Sequence, residues 1–429
     1  MEQTHYPMLD ETVYRVRLSN GLTVVLVRRQ GFSKRLAYFV TDYGSIHTDF
    51  EFEGKQWSAP AGVAHYLEHK MFDMPGGRDV SAEFAAMGAM TNAFTSYDIT
   101  AYYFSCTENF EDCLRLLLEF VSTPYFTEES VAKEQGIIDQ EIGMNADAPD
   151  SRVFEDLVAN LYENHPIRIP ILGTSETIRE ITPEILTACH RAFYTPDNMM
   201  LCVVGDVDPD RITAIAEEVL GTEPREVGKK QNEWPESLTV SHPETERKME
   251  VAMPMFNMAF KCQPTENGEA GIRREMVADL AAEALFGESS ELYLRLYEGG
   301  LIDSSFGGGF ETIDGCAMLM CSGDSDDPHA VRDAILAQAE KLVTEGIPEE
   351  DFMRMKRSAL GRRIRELDSF DATCFRTCAY HLSGFDYFRF PGVYAQIQEA
   401  ELRDFLAETV NAAHCGISVI YPLNQEENE

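Results

Sequence analysis

His65-Tyr66-Leu67-Glu68-His69 sets two histidines four apart, with a glutamate just before the second. On a helix, positions four apart share a face. Both imidazoles can therefore grip one ion, and Glu68 can reach a molecule held by it. The spacing is the inverse of the H-E-x-x-H zinc helix. A His-x-x-x-His pair also arises by chance on ordinary amphipathic helices, so a third ligand decides between the readings. Glu134 and Glu141 stand seven apart, two turns along one face of a predicted helix. Ile137, Ile138, Ile142 and Met144 neighbour Glu141, and a carboxylate in an apolar surface needs a partner. A catalytic zinc takes three protein ligands and keeps a position open for water. An ion on His65 and His69 lacks an anionic ligand, and Glu141 is the expected one. The competing reading is a solvated acidic stripe.

Several elements must position these groups. Ala59-Pro60-Ala61-Gly62 marks the start of the histidine helix, expected over about 61 to 72. Before it, Val13–Leu18 and Leu22–Val27 flank Asn20-Gly21 and read as a hairpin, with Leu36–Val40 as a third strand. After it come a short helix capped by Ser81, two strands (Met90–Ser96 and Thr100–Cys106) and a helix over 108 to 122. Thr127 caps the helix of Glu134 and Glu141, which is expected to end near Asn145. Helices over 150 to 164, from Thr182 to about Phe193 and from Asp208 to Leu220 enclose a buried strand at 198 to 206.

Proline and polar residues gather from about Gly221 to Glu246, which reads as a linker. The expected division is therefore an N-terminal metal-binding domain over 1–222, a linker over 223–246 and a C-terminal domain over 247–429. The second part repeats the first in coarse order. An offset of 221 residues carries Phe126-Thr127-Glu128-Glu129 onto Ile347-Pro348-Glu349-Glu350. The same offset puts Met355 and Arg362 where Glu134 and Glu141 stand, and no H-x-x-E-H recurs. The expectation is a duplicated α+β domain with metal chemistry in one copy.

The chain has 429 residues with ordinary apolar content, enough for two or three domains. Its 36 basic and 73 acidic residues give a net charge of −37. Such a surface disfavours nucleic acid and anionic membranes. No apolar run has the roughly 20 residues of a membrane helix. Met1–Tyr6 shows neither a basic n-region nor an apolar h-region, so a cytoplasmic location is expected. The ten cysteines are scattered through apolar segments, as reduced, buried thiols are.

Taken together, the chain resembles the pitrilysin or insulinase-type zinc peptidases, in the branch that includes the mitochondrial processing peptidase beta subunit and paired bacterial insulinase-like proteins. His65-Tyr66-Leu67-Glu68-His69, Glu134 with Glu141, Asn92-Ala93-Phe94-Thr95, Leu172-Gly173-Thr174 and Phe193-Tyr194-Thr195-Pro196-Asp197-Asn198-Met199 carry the resemblance. It implies two similar domains, each a mixed, mainly antiparallel sheet with helices on one face. It implies Zn2+ on His65, His69 and Glu141, with Glu68 as general base and Glu134 orienting a ligand. It also implies an extended peptide aligned on the strand at Asn92 and Ala93.

One stretch departs from the family pattern. The family closes its site with an arginine and a tyrosine in a pattern like R-x-x-x-G-L-x-Y. Here Gly300-Leu301 matches, but Leu296 and Asp303 occupy the arginine and tyrosine slots, with Arg295 one position away. The expected enzyme is therefore a zinc endopeptidase of peptides or short unfolded proteins, acting with a paralogous zinc-less subunit or as a homodimer. The alternative is a partner-binding processing factor with vestigial hydrolysis.

Overall fold

The computed structural model describes residues 1–423. The chain forms two compact units. The first gathers Met1–Ile142, Pro170–Asn232 and Arg363–Arg389; the second gathers Gly143–Ile169, Glu233–Arg362 and Phe390–Glu429. The units are thus not consecutive halves on either side of residues 223–246. The strand Lys229–Lys230 within that stretch pairs with Asp49–Phe52 in a small sheet of the first unit.

The main sheet of the first unit has seven strands: Glu2–Tyr6, Glu11–Arg17, Thr23–Arg28, Met199–Gly205, Arg35–Thr41, Thr100–Cys106 and Met90–Thr95, in that spatial order. The expected hairpin is present, with Val13 opposite Val27 and Gly21 at φ 95° in its turn. Met199–Gly205 is buried along its length, because it is central and flanked on both sides. Val24, Leu26, Phe39 and Leu201 face a core completed by helices, including Leu114, Leu117 and Leu118 of Phe110–Ser122. Met90–Thr95 is an edge strand, hydrogen-bonded on one side to Thr100–Cys106. The short helix Val80–Ala86 is capped by Asp79, which accepts from the Ala82 amide, and not by Ser81. Asp79 lies one residue before the first helical residue, where a cap's carboxylate reaches that amide.

The second unit's sheet has five strands: Glu244–Met249, Cys415–Pro422, Met255–Cys262, Cys316–Asp324 and Gly307–Ile313. The first pair is parallel and the remaining pairs are antiparallel. Thr23–Arg28, Met199–Gly205, Arg35–Thr41, Thr100–Cys106 and Met90–Thr95 have the same order and sense in the first unit. The expected duplication is therefore visible as topology. All ten cysteines are free and buried. Among the described residues no helix is long and apolar enough to cross a membrane.

Candidate metal centre and active site

The histidine helix spans Val63–Met71. It begins where two backbones nearly touch. Gly62 has φ 90°, and a Cβ there would sit 2.4 Å from the Leu172 carbonyl oxygen. Gly173, at φ 72°, would place its own Cβ 2.4 Å from the Ala61 carbonyl oxygen. Only glycine tolerates both the conformation and the contact. The Leu172-Gly173-Thr174 loop thus clamps the start of the helix.

This helix is short but buries unusual cargo: His65, Glu68 and Lys70 are all buried. A buried charge needs partners, and the helix Glu128–Ala146 supplies them. Val131, Glu134, Ile138 and Glu141 recur at three- and four-residue steps, so they form one stripe. Val131 and Ile138 are the buried residues of that helix, and the two carboxylates alternate with them. Lys70 Nζ donates to the Ser130 carbonyl at 3.3 Å and pairs with Asp73, and the Tyr66 hydroxyl donates to the Val131 carbonyl. These ties dock the first turn of one helix on the other. About one further turn carries Glu134, and about three carry Glu141, to the histidines.

One ligand atom each from His65, His69 and Glu141 lies within 4.8 Å of the others. His65 Nε2 is 3.7 Å from Glu141 Oε1, and His69 Nε2 is 3.6 Å from Glu141 Oε2. These separations exceed hydrogen-bond reach. They lie near the roughly 3.3 Å that bonds of 2.0–2.2 Å impose between the ligand atoms of a tetrahedral zinc. Glu134 engages the other side of His69, with Nδ1 3.0 Å from Oε1. An Nδ1–H donating to that carboxylate leaves Nε2 bare on the Glu141 side, the tautomer a metal needs. His65 Nδ1 is buried and has no hydrogen-bond partner among the described residues. The donor set fits a zinc ion.

The electrostatics separate the two histidines. Burial, then the neighbouring His69, pushes the His65 imidazole down to about 4, so it stays neutral and ready to ligate at neutral pH. Burial works the same way on His69, but the Glu134 hydrogen bond and the charges of Glu68, Glu134 and Glu141 outweigh it and raise its pKa. Glu134 is correspondingly held below the ordinary carboxylate range by its bond to His69. Burial raises the Glu68 carboxyl, against a hydrogen bond from Thr95 and the attraction of His69.

Glu141 does not sit in an apolar surface: its side chain is 43% exposed, whereas that of Glu134 is 15% exposed. Ile137 and Met144 beside it are exposed as well. The two-turn spacing brings Glu141 to the histidines, not a need to satisfy a buried charge. Thr95, expected only as part of a strand, donates through its hydroxyl to Glu68 Oε2 at 2.6 Å. Thr100 gives its own proton to the Tyr43 carbonyl at 2.9 Å, leaving that of Thr95 for Glu68. Asn92 and Ala93 lie three and two residues before Thr95 on the same edge strand. No local pattern in the sequence signals a strand-to-helix hydrogen bond of this kind.

Leu296, Arg295 and Asp303 belong to the second unit. Leu296 is buried, whereas Arg295 is exposed on the helix Glu291–Glu298. Asp303 accepts from the Ser305 amide at 2.7 Å.

A fold of two equivalent sheets, one of them carrying an inverted histidine helix, defines a class of metallopeptidase-like chains. The family model described as Insulinase (Peptidase family M16) matches residues 57–175, and that of the Peptidase M16 inactive domain matches residues 180–359. A Bacillus subtilis (strain 168) protein, the uncharacterized zinc protease YmfH, is 37% identical over 97% of this chain and 98% of its own. A crystal structure assigned as an M16-like peptidase from Alicyclobacillus acidocaldarius superposes with TM-score 0.92 at 32% identity, covering 96% of this chain and 98% of that one. A Helicobacter pylori protease shares the fold at TM-score 0.82 and 19% identity, covering 96% of this chain and 99% of that one. The chain belongs to the insulinase family of zinc proteases, peptidase family M16.

Proposed function

We propose that this chain is a zinc-dependent endopeptidase and the zinc-carrying subunit of a two-subunit enzyme. The observation that carries the reading is the convergence of His65, His69 and Glu141 ligand atoms within 4.8 Å, with the Glu68 carboxylate on the same helix. His65, His69 and Glu141 would hold Zn2+. When bound, that ion lowers the pKa of a coordinated water toward about 7 and polarises a scissile carbonyl. Glu68 accepts the proton of the attacking water and returns it to the leaving amine. Thr95 occupies Glu68 Oε2, which leaves Oε1 to make that transfer. Glu134 keeps His69 in the ligating tautomer. Met90–Thr95 has a free edge, along which an extended peptide can add as a strand past Asn92 and Ala93.

The two-subunit part rests on Leu296 and Asp303. A buried leucine and an aspartate engaged with a backbone amide offer no cation or phenol to a developing oxyanion. A paralogous zinc-less chain with the arginine and tyrosine would supply them. The test is a peptide-library digest by the purified chain, alone and with such a paralogue, with and without chelator. Chelator-sensitive cleavage that needs the paralogue is expected. Brisk turnover by the monomeric chain refutes the two-subunit reading, and no cleavage in any mixture refutes the peptidase reading.

A further inference from the structure

The helix that brings Glu134 and Glu141 to the histidines is lightly anchored by its own apolar residues. Of the 19 residues of Glu128–Ala146, only Val131 and Ile138 are buried. Where the helix sits is therefore set largely by polar ties. Gln135 donates to the Ile178 carbonyl at 3.2 Å. Tyr66 and Lys70, both on Val63–Met71, hold the carbonyls of Val131 and Ser130 in its first turn.

Lys70 is the unusual member of this set. It is fully buried, one residue after His69 and two after Glu68. A leucine or methionine would fill such a place without desolvating a charge, so the ammonium is expected to act through what it touches. One partner is the Asp73 carboxylate, three residues on, whose side chain is 47% exposed. The other is the Ser130 carbonyl, at 3.3 Å. Ser130 stands four residues before Glu134, so the two lie one above the other on one helix face. The ammonium also acts on Glu134 itself. After the His69 hydrogen bond, and against burial, the charges of His69 and Lys70 favour the ionised Glu134 carboxylate. Lys70 thus meets the helix through a hydrogen bond at its first turn and through charge at the next. Glu134 in turn meets His69 Nδ1 at 3.0 Å.

We propose that Lys70 is a positioning residue of the metal centre: its ammonium fixes where the helix Glu128–Ala146 sits against Val63–Met71, and so holds Glu134 on His69 and Glu141 opposite the two histidine Nε2 atoms. Lys70 is not a ligand and touches no reacting atom. Its effect reaches the ion through Glu134 and the helix that carries it. The inference rests on the zinc reading of the site. It adds a residue that neither H-x-x-E-H nor the Glu134–Glu141 spacing includes.

The test is the zinc affinity of the full-length chain, read by competition with a chromogenic chelator, with chemical denaturation of the zinc-free chain alongside. Lys70→Met keeps the apolar stem and removes the ammonium. It should weaken zinc binding about 10-fold or more, as loss of a residue that orients a ligand does. Lys70→Gln keeps a donor for the Ser130 carbonyl and should lie between Lys70→Met and wild type. Combined with Glu134→Gln, Lys70→Met should cost less than the two losses multiplied, because both act through one contact. A purely structural lysine would lower the denaturation midpoint and leave the two losses multiplicative. The proposal is overturned if Lys70→Met binds zinc within about twofold of wild type, or if its loss multiplies with that of Glu134→Gln. If Lys70→Met does not fold, Lys70→Gln enters the same cycle under the same criteria. Zinc that vanishes in His65→Ala/His69→Ala but is unchanged in Lys70→Met defeats this inference alone. Zinc that persists in His65→Ala/His69→Ala defeats the metal reading and this inference with it.

Discussion

Two helices occupy equivalent places in the two units and do opposite things with them. Glu128–Ala146 presents Glu134 and Glu141 to a pair of histidines. At the positions 221 residues further on, in Glu349–Glu366, Met355 is buried and Arg362 pairs with Glu283 at 2.8 Å. The helices that precede them differ in the same sense. Val63–Met71 buries His65, Glu68 and Lys70, whereas Glu269–Phe286 buries Ala278, Ala281, Ala282 and Leu285. One duplicated scaffold can thus carry a polar, partnered interior in one copy and an ordinary apolar one in the other. The first copy gives up stability that the second keeps, because every buried charge must be matched. The residues that make the site are therefore expected to be dispensable for folding in ways that their counterparts are not.

The largest effect should fall on the apolar copy. Met355→Ala removes a buried side chain and should cost about 2–5 kcal/mol of stability. Zinc affinity at His65 and His69 should not change, with chemical denaturation and metal competition read side by side. A loss of zinc with little loss of stability would break the contrast.

Acid should expose the polar copy next. His190, in the first unit, is pushed down to about 4 by burial, with its Nε2 donating to the Val121 carbonyl at 3.0 Å. Unfolded, it titrates near 6.5. The folded state is therefore favoured fully above 6.5 and loses that advantage as pH falls toward 4, because the unfolded chain takes up the proton first. The total is on the order of 3 kcal/mol. His190→Gln should flatten the stability profile between pH 6.5 and 4; an unchanged slope would assign the acid sensitivity elsewhere.

Glu134→Gln should weaken zinc binding about 10- to 100-fold, since it disturbs the hydrogen bond that sets the His69 tautomer. Folding should be nearly unaffected; chelator competition measures the first arm and chemical denaturation of the zinc-free chain the second. The smallest effect is expected at Arg362→Gln. Its partner-paired guanidinium is largely exposed, and such pairs are worth less than about 1 kcal/mol. A shift in thermal midpoint of many degrees would mean that the counterpart of Glu141 is structural.

Much of this was legible in the residues, and the exceptions have physical reasons. Periodicity located the long elements, such as Met199–Gly205 and Phe110–Ser122. Thr127, Thr182 and Asp208 marked helix starts through their cap chemistry. Short polar elements escaped: the strand Glu2–Tyr6 and the hairpin of Asp49–Phe52 with Lys55–Ser58 lack an apolar run. The unit borders at 142/143 and 362/363 fall inside the helices Glu128–Ala146 and Glu349–Glu366, so the change of unit leaves no local trace. At the site, helical spacing brings His65 to His69 and Glu134 to Glu141, but the apolar neighbours that singled out Glu141 as the ligand do not bury it. Thr95 on Glu68 and Glu134 on His69 Nδ1 depend on how two elements meet. Spacing within one element cannot supply that.

In the proposed reaction Glu68 works as a base beside an ion held by other residues. Glu68→Gln keeps the shape of the side chain and removes its basicity, and the variant should be compared with wild type for bound zinc and for peptide turnover in the presence of the zinc-less paralogue. Zinc content should be unchanged and turnover reduced by about 10²- to 10⁴-fold. Retained turnover in a zinc-loaded Glu68→Gln chain would contradict it.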